Sequence, residues 1–137
     1  MSTEFDITAE YLRSQSFRVL HAGDDYDYKF SLLKGASPLD LTGAKAWLTI
    51  KEASLKTDAE AKLQLSSASV DEIEITDALL GELVVKFRGS GTKDTSDLEG
   101  QWRYDLQVKA TVNGSLKVMT VAWGLIEFLP NLTRAVS

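Results

Sequence analysis

The chain of 137 residues is 44% hydrophobic and 26% charged, which fits one globular domain and leaves little room for a second. It has no cysteine, which excludes disulfide scaffolds, thiolate zinc sites and cysteine nucleophiles. A formal net charge of −5, with no local run of Lys and Arg, argues against a nucleic-acid partner and against an anionic membrane surface.

The opening stretch MSTEFDITAEYLRSQS is polar and lacks the apolar core of a signal peptide. No segment approaches the roughly 20 apolar residues of a membrane span. Folding in a cytoplasm, without export by the usual signal, is therefore expected.

The dominant hydrophobic period is two, the mark of half-buried antiparallel strands. RVLHA (18–22) is a short candidate strand. In YDYKFSLL, Tyr26, Tyr28, Phe30 and Leu32 share one face, with Asp27, Lys29 and Ser31 opposite. A cluster of turn-forming residues follows, and Asp40, Thr42 and Gly43 build a tight turn into AKAWLTIKE. That strand carries Ala44, Ala46, Leu48 and Ile50 inward and Trp47 outward, where a soluble strand normally presents something polar.

ASLKTDAEAKLQLSSASV permits a helical turn near Asp58 to Lys62, and AKLQLSS reads better as a short strand with Leu63 and Leu65 on one face. EIEIT points Ile73 and Ile75 inward. A turn at Asp77 to Gly81 leads to a strand carrying Leu83, Val85 and Phe87. After the polar connection GSGTKDTSDLEG, whose first part GSGTKDT is expected as a flexible linker, QWRYDLQVKA places Trp102, Tyr104, Leu106, Val108 and Ala110 on one face. Asn113-Gly114 is the strongest hairpin signal, because a type I′ turn needs two residues with positive φ. The last strand, SLKVMTVAWGLIEFLP, is long, and Gly124 is expected to mark a bulge or bend that resets its register.

Seven to eight short antiparallel strands at regular spacing, with turn signals between them and no strong helix, predict an all-β sandwich. In DLEGQWRYDLQV, Tyr104 is the candidate for a tyrosine corner, whose hydroxyl bonds back to the upstream backbone. The competing reading is a plain core aromatic.

The inventory for catalysis is thin. The single histidine, His21, has no serine or acid spaced around it in a nucleophile pattern, and one imidazole cannot make a histidine-based metal site. Asp24, Asp25 and Asp27 gather beside Gly23, and carboxylate oxygens suit calcium. Their spacing does not match the EF-hand loop, so a solvated acidic turn is the favoured reading. GSGTKDT lacks the Walker spacing, and nothing singles out a carboxylate pair for glycoside hydrolysis. No enzyme, no metal and no cofactor is expected.

Surface is what remains. Trp47 and Trp123 are the large aromatics that alternation does not obviously bury, and KVMTVAWGLIEF is apolar on both faces. Tryptophan is enriched at the centres of protein interfaces. Two placements stay open: both rings face a partner, or a bulge flips the register and makes them internal.

Several segments together resemble a widespread group of small bacteriophage virion proteins. AGDDYDYKFSLLKGASPLDLTGAKAWLTIKE is similar to that group's opening strand, Pro-Leu-Asp-Leu-Thr-Gly-Ala turn and strand ending in Lys. DALLGELVVKF, DTSDLEGQWRYDLQVKATVNG and VAWGLIEFLPNLTR resemble its later parts. Trp102 stands in place of a smaller aromatic, and Leu132 where valine is commoner. The likeness covers about Gly23 to Arg134. The group resembles the N-terminal domain of phage baseplate upper proteins and related tail or fibre attachment modules, which implies an Ig-like β-sandwich of about seven to eight antiparallel strands.

The resemblance implies an architectural role with no catalytic residues. The partners it implies are other virion proteins and further copies of the chain in a cyclic homo-oligomer, in the virion and in the host cytoplasm during assembly. Residues 1–15 fall outside the likeness and are expected as an N-terminal arm ahead of a domain over 16–137. The interface would center on Trp47 and Trp123, with Tyr104, Gly43 and Gly124 structural. The alternative function is a carbohydrate or host-receptor binding module that stacks sugars on Trp47 or Tyr26.

Overall fold

Two sheets enclose one apolar core in a computed structural model that describes residues 7–11, 19–52, 62–91, 93–112 and 114–130. The expected helical turn from Asp58, the hairpin residue Asn113, and the chain end with Leu132 and Arg134 lie outside the described residues. Ten strands run in chain order: β1 (Ile7–Tyr11), β2 (Val19–His21), β3 (Tyr26–Lys34), β4 (Ser37–Pro38), β5 (Lys45–Glu52), β6 (Leu63–Ser66), β7 (Ile73–Asp77), β8 (Glu82–Phe87), β9 (Gly100–Val112) and β10 (Ser115–Leu129).

The first sheet, A, has the order β1-β3-β8-β7, with β4 pairing β3. The second sheet, B, has the order β2-β10-β9-β5-β6. Both are largely antiparallel, and β2 runs parallel to β10 through Glu127↔Val19 to Leu129↔His21. Three differences from expectation follow. The strands number ten because β1 lies in the segment expected as an arm and β4, two residues long, is too short to show a period. The set is not wholly antiparallel, since alternation reports which face a residue takes and not the direction of its neighbour. Within the segment expected as an arm, Ile7–Tyr11 forms β1 and pairs with β3.

Alternation builds the core as the sequence implies. From sheet A come Tyr28, Phe30, Leu32, Ile73, Leu83, Val85 and Phe87; from sheet B come Ala46, Leu48, Ile50, Leu106, Val108, Ile126 and Phe128, all buried. The two layers meet through rings: Tyr28 packs edge-on to Phe87 at 6.2 Å, and Phe87 edge-on to Phe128 at 6.2 Å. Each such pair adds about 1 kcal/mol to the burial itself.

Turns hold the strands in register. The Asp40 carboxylate accepts the Thr42 N–H at 2.9 Å and the Thr42 hydroxyl at 2.6 Å, which keeps its pKa below the usual aspartate value. Gly43 then takes φ 71°, a conformation that a side chain strains. The expected turn is therefore present as predicted from the sequence.

The connection GSGTKDTSDLEG is anchored. Thr95 is fully buried, and its hydroxyl accepts the Gly23 N–H at 3.0 Å. Leu98 joins the core, and Lys93 reaches Glu72 at 3.1 Å. The expectation of a flexible linker at GSGTKDT is corrected: its polar composition concealed a buried threonine.

Candidate functional site

The last strand changes face partway along. Up to Thr120 the even-numbered residues Leu116, Val118 and Thr120 point out of sheet B. Register with β9 then slips between Thr120 and Ala122, so one extra residue sits on β10. Val121 and Ala122 are both buried, and from there the odd residues Trp123 and Leu125 point outward. A β-bulge does this, because the side-chain period is two and one inserted residue inverts it.

The bulge lies three residues before Gly124, where the sequence placed it. Gly124 has a different task. It pairs with Tyr104 of β9 on the inner side, where a Cβ would meet the Tyr104 ring at 3.4 Å, an ordinary van der Waals contact. The ring covers the glycine, as aromatic residues often cover a cross-strand glycine. Tyr104 is buried in the core. Two residues earlier, the Trp102 indole N–H donates to the Leu98 carbonyl at 2.9 Å, tying this strand to the chain upstream.

The outcome is an apolar ridge on the outer face of sheet B. Trp123 is 72% exposed, with Leu116 at 63%, Val118 at 61% and Leu125 at 52% on the same strand. Trp47 shares the face two strands away on β5, about 10 Å across the sheet. It is half-buried, in a row that runs Thr120, Gln107, Trp47, Ser66 across four strands. The Gln107 amide donates to the Thr120 hydroxyl at 3.3 Å and the Gln64 amide to the Thr49 hydroxyl at 3.0 Å. Both tryptophans face outward, so the internal placement is set aside, though only Trp123 stands clear.

Charges fringe this ridge unevenly. Lys45, Lys51, Arg103 and Lys109 sit at outward positions of β5 and β9, against Asp105 and Glu127. The face leans basic on a chain of net charge −5. Asp105 lies between Trp123 and Thr49 in register. Desolvation raises its pKa above the usual value, with Lys51 opposing.

The acidic turn is occupied in other ways. The Asp25 carboxylate accepts the Gly89 N–H at 2.7 Å, and Asp27 pairs with Arg88 at 2.7 Å. The Asp24 N–H donates to the His21 carbonyl at 3.3 Å. Two of the three carboxylates thus tie the start of β3 to the end of β8. Among the described residues no cluster of three or more His, Cys, Asp or Glu gathers to hold a metal ion. Tyr26 stands apart from the tryptophans: its ring stacks on Tyr28 at 5.9 Å, and its hydroxyl accepts the His21 N–H at 2.9 Å.

Sequence reasoning named Trp47 and Trp123 and missed Leu116, Val118 and Leu125. The signal was present, since KVMTVAWGLI is apolar at both parities, but the position of the bulge decides which parity faces out. No protein-family profile and no curated protein sequence matches this chain.

Proposed function

We propose that the protein is a non-enzymatic structural part of a bacteriophage virion, an Ig-like module of the tail, baseplate or fibre attachment that works by protein–protein assembly. The observation that carries the reading is the ridge of Trp123, Leu116, Val118 and Leu125, exposed together on one strand. Scattered surface hydrophobes need no explanation, whereas a contiguous row beside a polar fringe marks an interaction surface.

Strand order supports the Ig-like assignment. β1-β3-β8-β7 corresponds to A-B-E-D of an immunoglobulin sandwich, and β10-β9-β5-β6 to G-F-C-C′. The sequence resemblance between Gly23 and Arg134 supports the virion role, with other virion proteins and further copies of this chain as partners. The ridge and the fringe give the interface its anchors and its orientation.

Particles banded on a density gradient from lysates of cells that carry the gene test the reading. Peptides of this chain are expected in the intact particles at several copies each. Their absence from the particles would overturn it. Glycan-array binding by the purified protein, lost in Trp123→Ser, would replace it with a receptor-binding module.

A further inference from the structure

The outer face of sheet B opposes like charges. Lys45 of β5 stands directly across from Lys109 of β9, and Lys51 directly across from Arg103. Cross-strand pairs of one sign destabilise a sheet. Sheet A does the reverse, with Lys29 at 3.0 Å from Glu82 and Lys86 at 2.9 Å from Glu74. The two cationic pairs lie about 20 Å apart along β5, with Trp47 and Asp105 between them in register. Beside them on β10 run Leu116, Val118, Trp123 and Leu125, all exposed. An anionic surface that also covered these four would relieve the repulsion and the apolar exposure together.

The chain carries such a surface at one end of the sandwich. The β2–β3 turn, the β6–β7 turn and the β8–β9 connection meet there: the Asp25 carboxylate accepts the Gly89 N–H at 2.7 Å, and Lys93 reaches Glu72 at 3.1 Å. Asp25, Asp27, Asp71, Asp97 and Glu99 are exposed at this end. Arg88 and Lys93, the cations of these connections, are held by Asp27 and Glu72 of the same chain. Val70, next to Asp71, is 63% exposed and adds an apolar contact.

We infer that the outer face of sheet B docks on the acidic end of a second copy, head to tail, with the cationic pairs against carboxylates and the ridge against the turn that carries Val70. This names the partner of the ridge, and it rests on the assembly reading for its biological role. Charge decides against the rival geometry, in which two ridges stack face to face. That arrangement would bring Lys45, Lys51, Arg103 and Lys109 of one copy onto the same residues of the other. A contact between unlike surfaces also leaves one of each unused on every copy, so it continues until a ring closes.

Self-association of the full chain is followed by sedimentation velocity at roughly 50 mM and roughly 0.5 M salt, because screening separates charge from apolar contact. The wild type is expected to form species larger than a monomer that dissociate at the higher salt. Lys45→Glu with Lys109→Glu reverses one cationic pair and keeps it like-charged, so the melting temperature should hold. The dissociation constant should rise about tenfold. Asp71→Lys with Asp97→Lys should weaken association to a similar degree. Mixing the two double variants is expected to restore it, since each then offers the other a matching surface. Lys45→Glu alone, facing Lys109, should raise the melting temperature and still weaken association, a combination that a purely structural lysine would not give. Lys51→Glu reads the same face from the other pair if the Lys45 and Lys109 double variant does not fold.

A strictly monomeric wild type overturns the docking, while the particle test above stands on its own. Self-association that survives the higher salt, or that Asp71→Lys with Asp97→Lys leaves unchanged, overturns the acidic end as partner. A labelled single-stranded oligonucleotide that binds the wild type and not the Lys45 and Lys109 variant would overturn it too, by assigning the face to nucleic acid.

Discussion

The two outer faces of the molecule share a period and differ in what they do with it. On sheet A the outward positions carry charge laced into pairs: Lys29 with Glu82 at 3.0 Å, Lys86 with Glu74 at 2.9 Å and Arg88 with Asp27 at 2.7 Å. On sheet B the outward positions of β10 carry leucine, valine and tryptophan. Neither face sets the core, which alternation fills from both sheets alike. A face satisfied by its own ion pairs is finished when the chain folds. A face of exposed apolar side chains retains free energy that only burial against a partner releases, at about 25 cal/mol per Å² of apolar surface.

The largest way to break the contrast is to remove the residue that creates it. Deletion of Val121 restores unbroken alternation to β10. Either Trp123 and Leu125 then turn inward while Ile126 and Phe128 turn out, or the pairing with β9 slips. Both Ile126 and Phe128 are almost fully buried, and losing each from the core costs about 3 to 5 kcal/mol. That approaches the whole margin of a domain this size. The deletion variant is expected to show no cooperative urea transition, whereas Val121→Ala keeps the bulge and costs about 2 kcal/mol.

The two tryptophans provide the next test. Trp47 is half-buried between Ser66 and Gln107, so Trp47→Ala should cost about 1 to 2 kcal/mol in urea unfolding. Trp123 is 72% exposed, so Trp123→Ala should shift stability by no more than about 0.5 kcal/mol while weakening assembly. Equal losses of stability would mean that Trp123 is part of the fold and not of a docking surface.

How much of this the sequence contained depends on the range of the signal. Inward sets such as Leu48, Ile50, Leu106 and Val108 were legible because burial alternates with the chain itself. The Asp40–Gly43 turn was legible because its hydrogen bonds span two residues. The bulge was not: its position depends on where β9 and β10 lose register, and Gly124 offered a plausible but different site. The parallel β2–β10 pair was hidden for the same reason, since residues about a hundred apart must meet before it exists. The docking ridge inherits that limit, because a one-residue slip exchanges Leu125 for Ile126 on the outer face.

On sheet A the expected effects are smaller. Lys86 is the more buried partner of its pair, with 16% of its side chain exposed against 45% for Glu74. Glu74→Gln should cost about 0.5 kcal/mol at low salt and close to nothing at molar salt, as exposed pairs do. A loss that persists in high salt would show that the outer face of sheet A holds the fold more firmly than its exposed pairs suggest.

The finest distinction is one of pH, and the signs of two aspartates separate the regions. Asp40, in its turn, has a pKa lowered by the Thr42 hydroxyl and N–H. Its folded form holds the proton less tightly than the unfolded chain, so its contribution is present above about 3.9 and lost as pH falls through the lower folded value. Asp105, beneath the ridge, has a pKa raised by desolvation. Its contribution runs the other way: fully present below about 3.9, and lost as pH rises through the higher folded value. Asp40→Asn should therefore lose more stability at pH 7 than at pH 3, while Asp105→Asn should gain more at pH 7 than at pH 3. Paired urea titrations at the two pH values read both slopes. Docking a partner over Trp123 would dry Asp105 further, so its slope should steepen in the assembled protein while that of Asp40 stays where it was.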